Sequence, residues 1–326
     1  MNRWMKFLVD KQYRFEVLDR RGKFNAWSDE KYLKRKYQNT FGEKLDLNNP
    51  KTFNQKLQWL KLNDRNPIYT TMVDKFEVKK FISERIGEEY IIPTLGVWDN
   101  FDEIDFDSLP NQFVLKCTHD SGGLVIVRDK SNMDLDATRK KVNKSLARNY
   151  YLKGREWPYK NVQPRIIAEK YITTDMNKAI NRHPEAPITC EDLQSEIGLL
   201  DYKFLCFNGK VRALFLDIGV IGNSDGHADE YYRNVYDRDG TLLPVLETRE
   251  NYPVQIILPD NLEEMIKLAE TLSSNIPHLR VDLYRLSNGE VKVGELTFYH
   301  GSGLSNVFVP SKWDEIFGDW IELPNK

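Results

Sequence analysis

The chain has 326 residues, with 47 Lys+Arg against 49 Asp+Glu and a formal charge of −2. Hydrophobic residues make up 40% and charged residues 29%, a soluble globular composition that excludes a disordered or fibrous chain. The near-neutral balance argues against a nucleic-acid partner, because wrapping DNA or RNA usually takes a basic domain. At roughly 150 residues per domain, the length fits one large domain or two smaller ones. Cys117, Cys190 and Cys206 form no CxxC pair, which points to a reducing, cytoplasmic compartment and no zinc ribbon.

No segment approaches the roughly 20 apolar residues that cross a bilayer, and the start turns charged before a signal-peptide core can form. Residues 1–40 carry eleven basic and five acidic side chains, a surplus of 11 − 5 = 6 positives. Met1, Trp4, Met5 and Leu8 fall at helical spacing. A basic helix of this kind either lies peripherally on an anionic membrane surface or docks on the body as an ordinary surface helix. Residues 1–70 therefore read as a helical, basic N-terminal region and 71–326 as the main domain.

Three helix starts follow. Thr52 with Gln55 has the capping-box pattern ahead of Phe53, Leu57 and Leu60. Asp74 with Glu77 leads Val78, Phe81, Ile82 and Ile86 to a stop at Gly87. Asp260 with Glu263 opens a third, with Leu262, Met265, Ile266, Ala269 and Leu272 inward. Strands are expected at Phe113–Cys117, Leu124–Val127, Arg165–Ile172, Asp201–Phe207, Val211–Leu216, Val281–Leu286 and Val291–Phe298. Asn208-Gly209 and Asn288-Gly289 each separate two such runs, the strongest short-range hairpin signal. Residues 173–200, with Pro184 and Pro187, read as a long surface loop. The mixture of helices and hairpins predicts an α+β fold.

The last hairpin carries the most chemistry. With Asn288-Gly289 as a two-residue turn, Asp282 opposes Glu295 and Arg280 opposes Thr297. Opposed residues share a sheet face, and opposed like charges are unfavourable. A shared proton, an arginine or a hard cation must offset them. Mg²⁺ prefers carboxylate oxygens and bridges protein to nucleotide phosphates. The hairpin is either a Mg²⁺ site with Arg280 aimed at a phosphate or an exposed face where Arg280 neutralises the pair.

Lys116 ends an apolar run, and His119-Asp-Ser-Gly-Gly123 follows at once. Successive glycines let backbone N–H groups approach a phosphate, and a lysine supplies charge; the same residues also suit a plain flexible turn. Lys75 follows the Asp74 cap, where a cation opposes the helix dipole by about 0.3–1 kcal/mol. The histidines show no HExxH pattern, and GxSxG and GxGxxG motifs are absent, so zinc, serine-hydrolase and nicotinamide chemistry lack support.

In order, these pieces resemble an ATP-grasp enzyme, with two α+β subdomains gripping the nucleotide. Asp74-Lys75, the Lys116 strand with its glycine loop, the Glu-Lys-Tyr-Ile run at 169–172 and Arg280-Val-Asp282 with Glu295-Leu-Thr297 carry the likeness. More narrowly the chain is similar to the teichuronopeptide-biosynthesis, TupA-like ATP-grasp family, through Asn49–Trp59, Asp201–Gly209 and Gly294–Tyr299. Two departures stand out. Thr297 takes the place of the usual asparagine, and no Rossmann-like subdomain is readable in residues 1–70.

The resemblance implies ATP and Mg²⁺ as cofactors. It implies Asp282, Glu295 and Thr297 at the metal, and Lys75, Lys116 and Lys170 at the nucleotide. His119, Ser121, Gly122 and Gly123 would lie over the phosphates. Glu169, Tyr171 and Ile172 would form an adenine hinge, with Asp201 at the ribose, Lys203 beside it and Arg280 on the transferred phosphate. His300 and the residues to Gly303 would face the acceptor. Members are often labelled glycosyltransferases and occur in capsule and surface-polysaccharide pathways. The implied activity is amide formation between an acidic sugar or peptide unit and an amine such as an amino acid. A glycosyltransferase or sugar kinase of the same pathway, and a non-catalytic glycan- or membrane-binding protein, stay open as alternatives.

Overall fold

The computed structural model describes residues 2–173, 183, 185–219 and 231–325. A five-stranded antiparallel sheet has the spatial order Val291–Thr297, His278–Arg285, Asp201–Phe207, Lys210–Ile218, Tyr232–Asp237. A second antiparallel sheet has the order Thr94–Trp98, Ile166–Lys170, Phe113–Cys117, Val125–Val127. The architecture is α+β, as the mixed element pattern predicts.

Every residue of the Asp201–Phe207 strand is buried, which is why it reads as a near-continuous apolar run. One face packs on the helix Leu262–Leu272. The helix presents Met265, Ala269 and Leu272, all fully buried, at helical spacing; burying each Met or Leu contributes about 1.5–3 kcal/mol. Cys206 Sγ reaches Ala269 O on that side at 3.7 Å. Strand alternation therefore puts Asp201 and Lys203 on the opposite face.

Asn208 and Gly209 form the expected two-residue turn, with φ of 51° and 75° and Phe207 paired to Lys210. The Asn288-Gly289 turn differs. Leu286 N donates to Glu290 O at 2.8 Å, so three residues, Ser287 to Gly289, form the loop. Only Gly289 takes positive φ there, at 86°, as in a type I turn closed by a left-handed residue. The longer loop shifts the register by one, to Leu283↔Val293, and a bulge past Asp282 shifts it back, so Asp282 faces Glu295 and Arg280 faces Thr297. Gly294 supplies the extra residue; a Cβ there would stand 2.7 Å from the Tyr284 ring.

The helix Phe53–Asn63 starts as expected, Thr52 Oγ1 accepting from Gln55 N at 3.3 Å. Two other starts move. Asp74 Oδ1 accepts from Phe76 N at 2.8 Å, but the helix proper spans Val78–Ile86, so Lys75 stands in the turn ahead of it rather than in its first turn. The third helix follows Asn261 without a side-chain cap, and Asp260 accepts from Arg285 Nη2 at 3.2 Å instead.

The expected loop at 173–200 is not all loop. It holds a strand at Ile188–Thr189 and a helix at Cys190–Ile197 capped by Thr189, whose Oγ1 accepts from Asp192 N at 3.1 Å. Its apolar stripe, Cys190 and Leu193, is buried; the prolines obscured a short capped helix. Residues 174–182 and 184 of that segment, and Met1 of the N-terminal stripe, lie outside the described residues.

The N-terminal region folds as helices Arg3–Val9, Lys11–Arg20, Asp29–Phe41 and Phe53–Asn63. Tyr32, Leu33, Tyr37 and Leu45 form a small core there with Leu304, while Phe53, Leu57 and Leu60 enter the large one. The first helix buries nothing: Trp4, Met5, Leu8 and Val9 are 76%, 56%, 63% and 66% exposed. Among the described residues no helix is long and apolar enough to cross a membrane.

Candidate functional site

Arg280 and Asp282 share the face of Lys203 and Asp201, and Glu295 joins them from the edge strand. Arg280 donates from Nε to Asp282 Oδ1 at 2.6 Å and from Nη2 to Asp282 Oδ2 and Glu295 Oε1, both at 2.7 Å. Thr297 Oγ1 donates to Glu295 Oε1 at 3.2 Å. Lys203 Nζ donates to Asp282 Oδ2 at 2.9 Å and to Asp201. In this structure an arginine offsets the two opposed acids.

The row continues beyond that pair. Arg280 Nη1 lies 3.0 Å from His300 Nδ1. A guanidinium only donates, so Nδ1 accepts and the His300 proton sits on Nε2, 3.9 Å from Glu247 Oε1. Arg233 bonds Glu247 and grips Asp217 from Nε at 2.5 Å and Nη2 at 2.6 Å. Five carboxylates (Asp201, Asp217, Glu247, Asp282, Glu295) thus share three cations (Lys203, Arg233, Arg280).

The electrostatics follow from that surplus. Burial alone would raise Asp282, but Arg280 and Lys203 outweigh it and hold the carboxyl at about 2. Burial is likewise outweighed at Glu247 by His300 and Arg233, which hold it at about 2. Asp201 goes the other way: burial pushes it up to about 7 against the pull of Lys203. Such a row gains from an added cation. Among the described residues, no three His, Cys, Asp or Glu side chains form a ready metal cage. Mg²⁺ does not require one, being usually held by one or two carboxylates plus phosphates and water. The oxygens of Asp282, Glu295 and Thr297 are the hard donors it takes, and the Glu295 side chain is 37% exposed.

The four-stranded sheet carries the opposite imbalance. Lys79 Nζ and Lys116 Nζ each lie 2.6 Å from Glu169. Burial would raise that carboxyl, but Lys116 and Lys79 bring it below its ordinary value. Lys170 follows, exposed, its backbone N–H donating to Pro93 O at 2.9 Å, and Tyr171 and Ile172 are half-buried. Lys75 donates from N to Thr118 O at 3.1 Å and from Nζ to Asp120 O at 2.5 Å, which pins the start of the glycine loop. His119 Nε2 bonds Arg148 O at 3.0 Å, and Ser145 Oγ bonds Asp120. Gly123 is packed so tightly that a Cβ would stand 2.2 Å from Ser145 Oγ, while Gly122, at φ +105°, has nothing within 4 Å. Ser121 and Gly122 are exposed. The loop has a rooted base and an open tip whose N–H groups are available to an anion.

The structure therefore brings Arg280, Asp282, Glu295, Thr297, Lys203 and Asp201 into one row, Lys116 to Glu169, and Lys75 to the glycine loop. Asp201 is bonded into the acidic row through Lys203. Two tyrosines feel these acids. The Tyr284 phenol is raised well above its ordinary value by Asp201, burial, Asp282, Glu295 and Glu169. Tyr150 is raised by burial and then by Glu156 and Glu295, with Ser121 of the glycine loop acting the other way.

Sequence reasoning missed Lys61, Lys79, Tyr150, Glu156, Asp217, Arg233 and Glu247. Lys61 left a signal, standing on the buried stripe eight residues after Phe53 and four after Leu57. Its Nζ donates to Gln58 Oε1 at 3.0 Å, Gly154 O at 2.8 Å and Ser302 O at 2.7 Å, and burial brings it down to about 7. The N-terminal helix is thereby tied to the loop that begins at His300. Asp217 was hidden because a bulge in the Asn208-Gly209 hairpin puts it opposite Asp201.

A model of the TupA-like ATPgrasp family matches residues 55–182 and 188–322. No curated protein matches the chain. The D-alanine–D-alanine ligase of Bacillus anthracis, solved with ATP, is similar at 18% identity and a TM-score of 0.39, covering 70% of this chain and 55% of that one. An L-amino acid ligase of Bacillus licheniformis is similar at 16% identity and a TM-score of 0.42, covering 77% and 50%. The ATP-grasp ligase PsnB, solved with its minimal precursor, Mg and ADP, is 10% identical with a TM-score of 0.38, covering 94% and 74%. The chain spans about half the length of the first two structures.

Proposed function

This chain belongs to the TupA-like ATP-grasp family, and from that premise we propose that it is an ATP- and Mg²⁺-dependent carboxylate–amine ligase. The observation that carries the reading is an acid-rich row on the five-stranded sheet together with a lysine-and-glycine cradle at the four-stranded sheet. Lys75, Lys116 and Lys170 would contact the nucleotide, with His119, Ser121, Gly122 and Gly123 over its phosphates. Residues 169–172 would serve as hinge and adenine contact, and Asp201 with Lys203 would lie towards the ribose. Asp282 and Glu295, assisted by Thr297, would hold Mg²⁺. The metal, when bound, supplies charge stabilisation to the transferring phosphoryl group. In this scheme residues 1–70 are a helical addition to an ATP-grasp domain spanning 71–326.

The reaction runs in two steps. A carboxylate oxygen of the acceptor takes the γ-phosphoryl group, giving an acyl phosphate and ADP. An amine then attacks the carbonyl carbon, phosphate leaves, and the nitrogen loses a proton as the amide forms. Arg280, already oriented by Asp282, stabilises negative charge on the transferred phosphoryl oxygens.

The acceptor we propose is an acidic sugar or peptide unit of a bacterial capsule or surface polysaccharide, joined to an amino acid. Family membership supports this, as does a groove at the helix Asp29–Phe41 and the loop after it, lined by Lys31, Lys34, Arg35 and Lys44 against the single acid Glu30. The exposed apolar face of the first helix, beside Arg3, Lys6 and Lys11, supports peripheral attachment at the cytoplasmic face of an anionic membrane. Sedimentation with vesicles containing phosphatidylglycerol should retain the protein, and Trp4→Ser with Leu8→Ser should release it.

The central experiment incubates protein and Mg-ATP with uronic acids and amino acids, reading ADP and product mass. Acceptor-dependent ADP and phosphate, with a product heavier by the amino acid less water, are expected. Glu295→Gln should lower ADP release at least 100-fold, on the scale of losing one transition-state electrostatic contact. Full activity in that variant sinks the metal assignment; a phosphorylated product would mean a kinase, and UDP release from UDP-sugar a transferase.

A further inference from the structure

The carboxylate row ends at an arginine that none of its acids pairs. Arg233 and Arg280 are saturated: the first holds Asp217 and Glu247, the second Asp282 and Glu295. Arg249, next along the chain from this end of the row, is different. Among the described residues no carboxylate lies within ion-pair distance of it, and its Nη1, buried, has no hydrogen-bond partner. Asp217 is the acid whose charge reaches it, and that carboxylate is already occupied by Arg233 Nε, Arg233 Nη2 and the Tyr231 hydroxyl at 2.5, 2.6 and 2.8 Å.

The backbone holds Arg249 in this position. Glu247 and Arg249 bridge each other across Thr248, a β-branched residue at φ 66°. A β-branched side chain at positive φ is strained and persists only where its surroundings enforce it. Thr248 N donates to Val307 O at 3.2 Å and Thr248 Oγ1 to Glu247 Oε1 at 3.0 Å. The turn places Arg249 beside Glu247, its guanidinium 3.0 Å from the centroid of the Tyr231 ring. Two residues on, Asn251 Oδ1 is a second buried polar atom without a partner. An unpaired buried donor is unfavourable, and an arginine suits a carboxylate because its N–H groups match the two oxygens.

We propose that Arg249, stacked on Tyr231, anchors a carboxylate of the acceptor other than the one activated at Arg280. The inference rests on the ligase reading above and narrows its substrate class to acceptors with at least two anionic groups, such as an acidic oligosaccharide or a dicarboxylic amino-acid unit. Arg249 is linked to Glu247 by a backbone bridge, and His300 contacts both Glu247 and Arg280; in this proposal each arginine takes a separate anionic group of the acceptor.

The test does not depend on turnover. Phenylglyoxal labelling, followed by peptide mass spectrometry, reports each arginine separately. Digalacturonate, glutamate and malonate are the anionic probes, maltose the neutral one, and exposed Arg212 the internal control. At least one anionic probe should slow labelling of Arg249 five-fold or more while Arg212 is unchanged and maltose protects neither. Calorimetry with the protecting acid should show binding weakened at least ten-fold in Arg249→Gln and partly restored in Arg249→Lys, with thermal melts alike. Equal labelling of Arg249 with and without all three acids overturns the proposal. Protection without any acceptor-dependent ADP release would keep this anion site and sink the ligase reading instead.

Discussion

On the four-stranded sheet two lysines converge on one carboxylate, Glu169, whereas on the five-stranded sheet five carboxylates share three cations. The first imbalance leaves positive charge beside an open glycine loop; the second leaves negative charge on a buried strand face. A molecule with phosphates at one end and a bound divalent cation would satisfy both surpluses at once. The contrast also predicts that the two halves fail differently when a charge is removed. In the buried row each ion is held by its neighbours, so loss of one strands another; in the cradle the charges are redundant.

The largest effect is expected where the row is deepest. Arg233→Met leaves Asp217 and Glu247 buried without their guanidinium, and breaking a buried pair from one side costs about 3–5 kcal/mol. The urea midpoint should fall accordingly. An unchanged midpoint would mean the row is not internally balanced. Next, Asp282→Asn should cut ATP turnover about 10²–10³-fold with a much smaller change in melting temperature, because Arg280 keeps Glu295 and loses only part of its bidentate grip. Wild-type turnover in that variant would move the metal elsewhere.

Acid should separate the halves more gently. Burial holds the His278 pKa down at about 3, against an ordinary 6.5, while Nδ1 contacts Cys206 O at 3.0 Å. Glu247 and Asp282, both at about 2, are also depressed in the folded state. In that range the unfolded chain binds more protons than the folded one, so stability falls as pH drops below about 6.5. Each such group contributes up to about 1.4 kcal/mol per pH unit. Asp201, raised to about 7, opposes this between its ordinary range and neutrality. Urea midpoints at pH 7 and pH 4.5 should therefore separate the two contributions: His278→Phe removes the histidine's loss and should be more stable at pH 4.5, relative to pH 7, than the unaltered protein. The smallest effect belongs to the cradle. Lys116→Gln leaves Lys79 on Glu169 and should weaken Mg-ATP binding only about ten-fold, the scale of one charged hydrogen bond, as calorimetry would show.

The stretches that make up the candidate site were legible because they rest on local patterns. Asp74 and Lys75, the Lys116 strand with its glycines, and the Arg280–Asp282 and Glu295–Thr297 pairs all lie in short stretches whose residue types are unusual for plain strands. The Asp282–Glu295 pairing was legible for a less secure reason. The turn is one residue longer than Asn288-Gly289 suggests, and a bulge at Gly294 restores the register. A strand inverts its faces with each one-residue slip, so two unpredicted irregularities had to cancel. In the 173–200 segment the prolines outweighed the Thr189 cap, and a short helix was overlooked.

The sequence by itself determined most of the element types and the presence of the two hairpins, because propensity, capping and side-chain alternation act over a few residues, whereas the pairing of Asp282 with Glu295 rests on a bulge that the sequence did not announce. Only the tertiary structure decided which charges meet. Arg233 and Glu247 come from separate elements, Lys61 joins a helix to the loop at His300 across more than 200 residues, and among the described residues no acid pairs with Arg249, while Asp217 is bonded to Arg233. Such pairings depend on how distant strands and helices stack, and no local period of the chain encodes them. The opening balance of −2 is thus an average over two sheets with opposite surpluses.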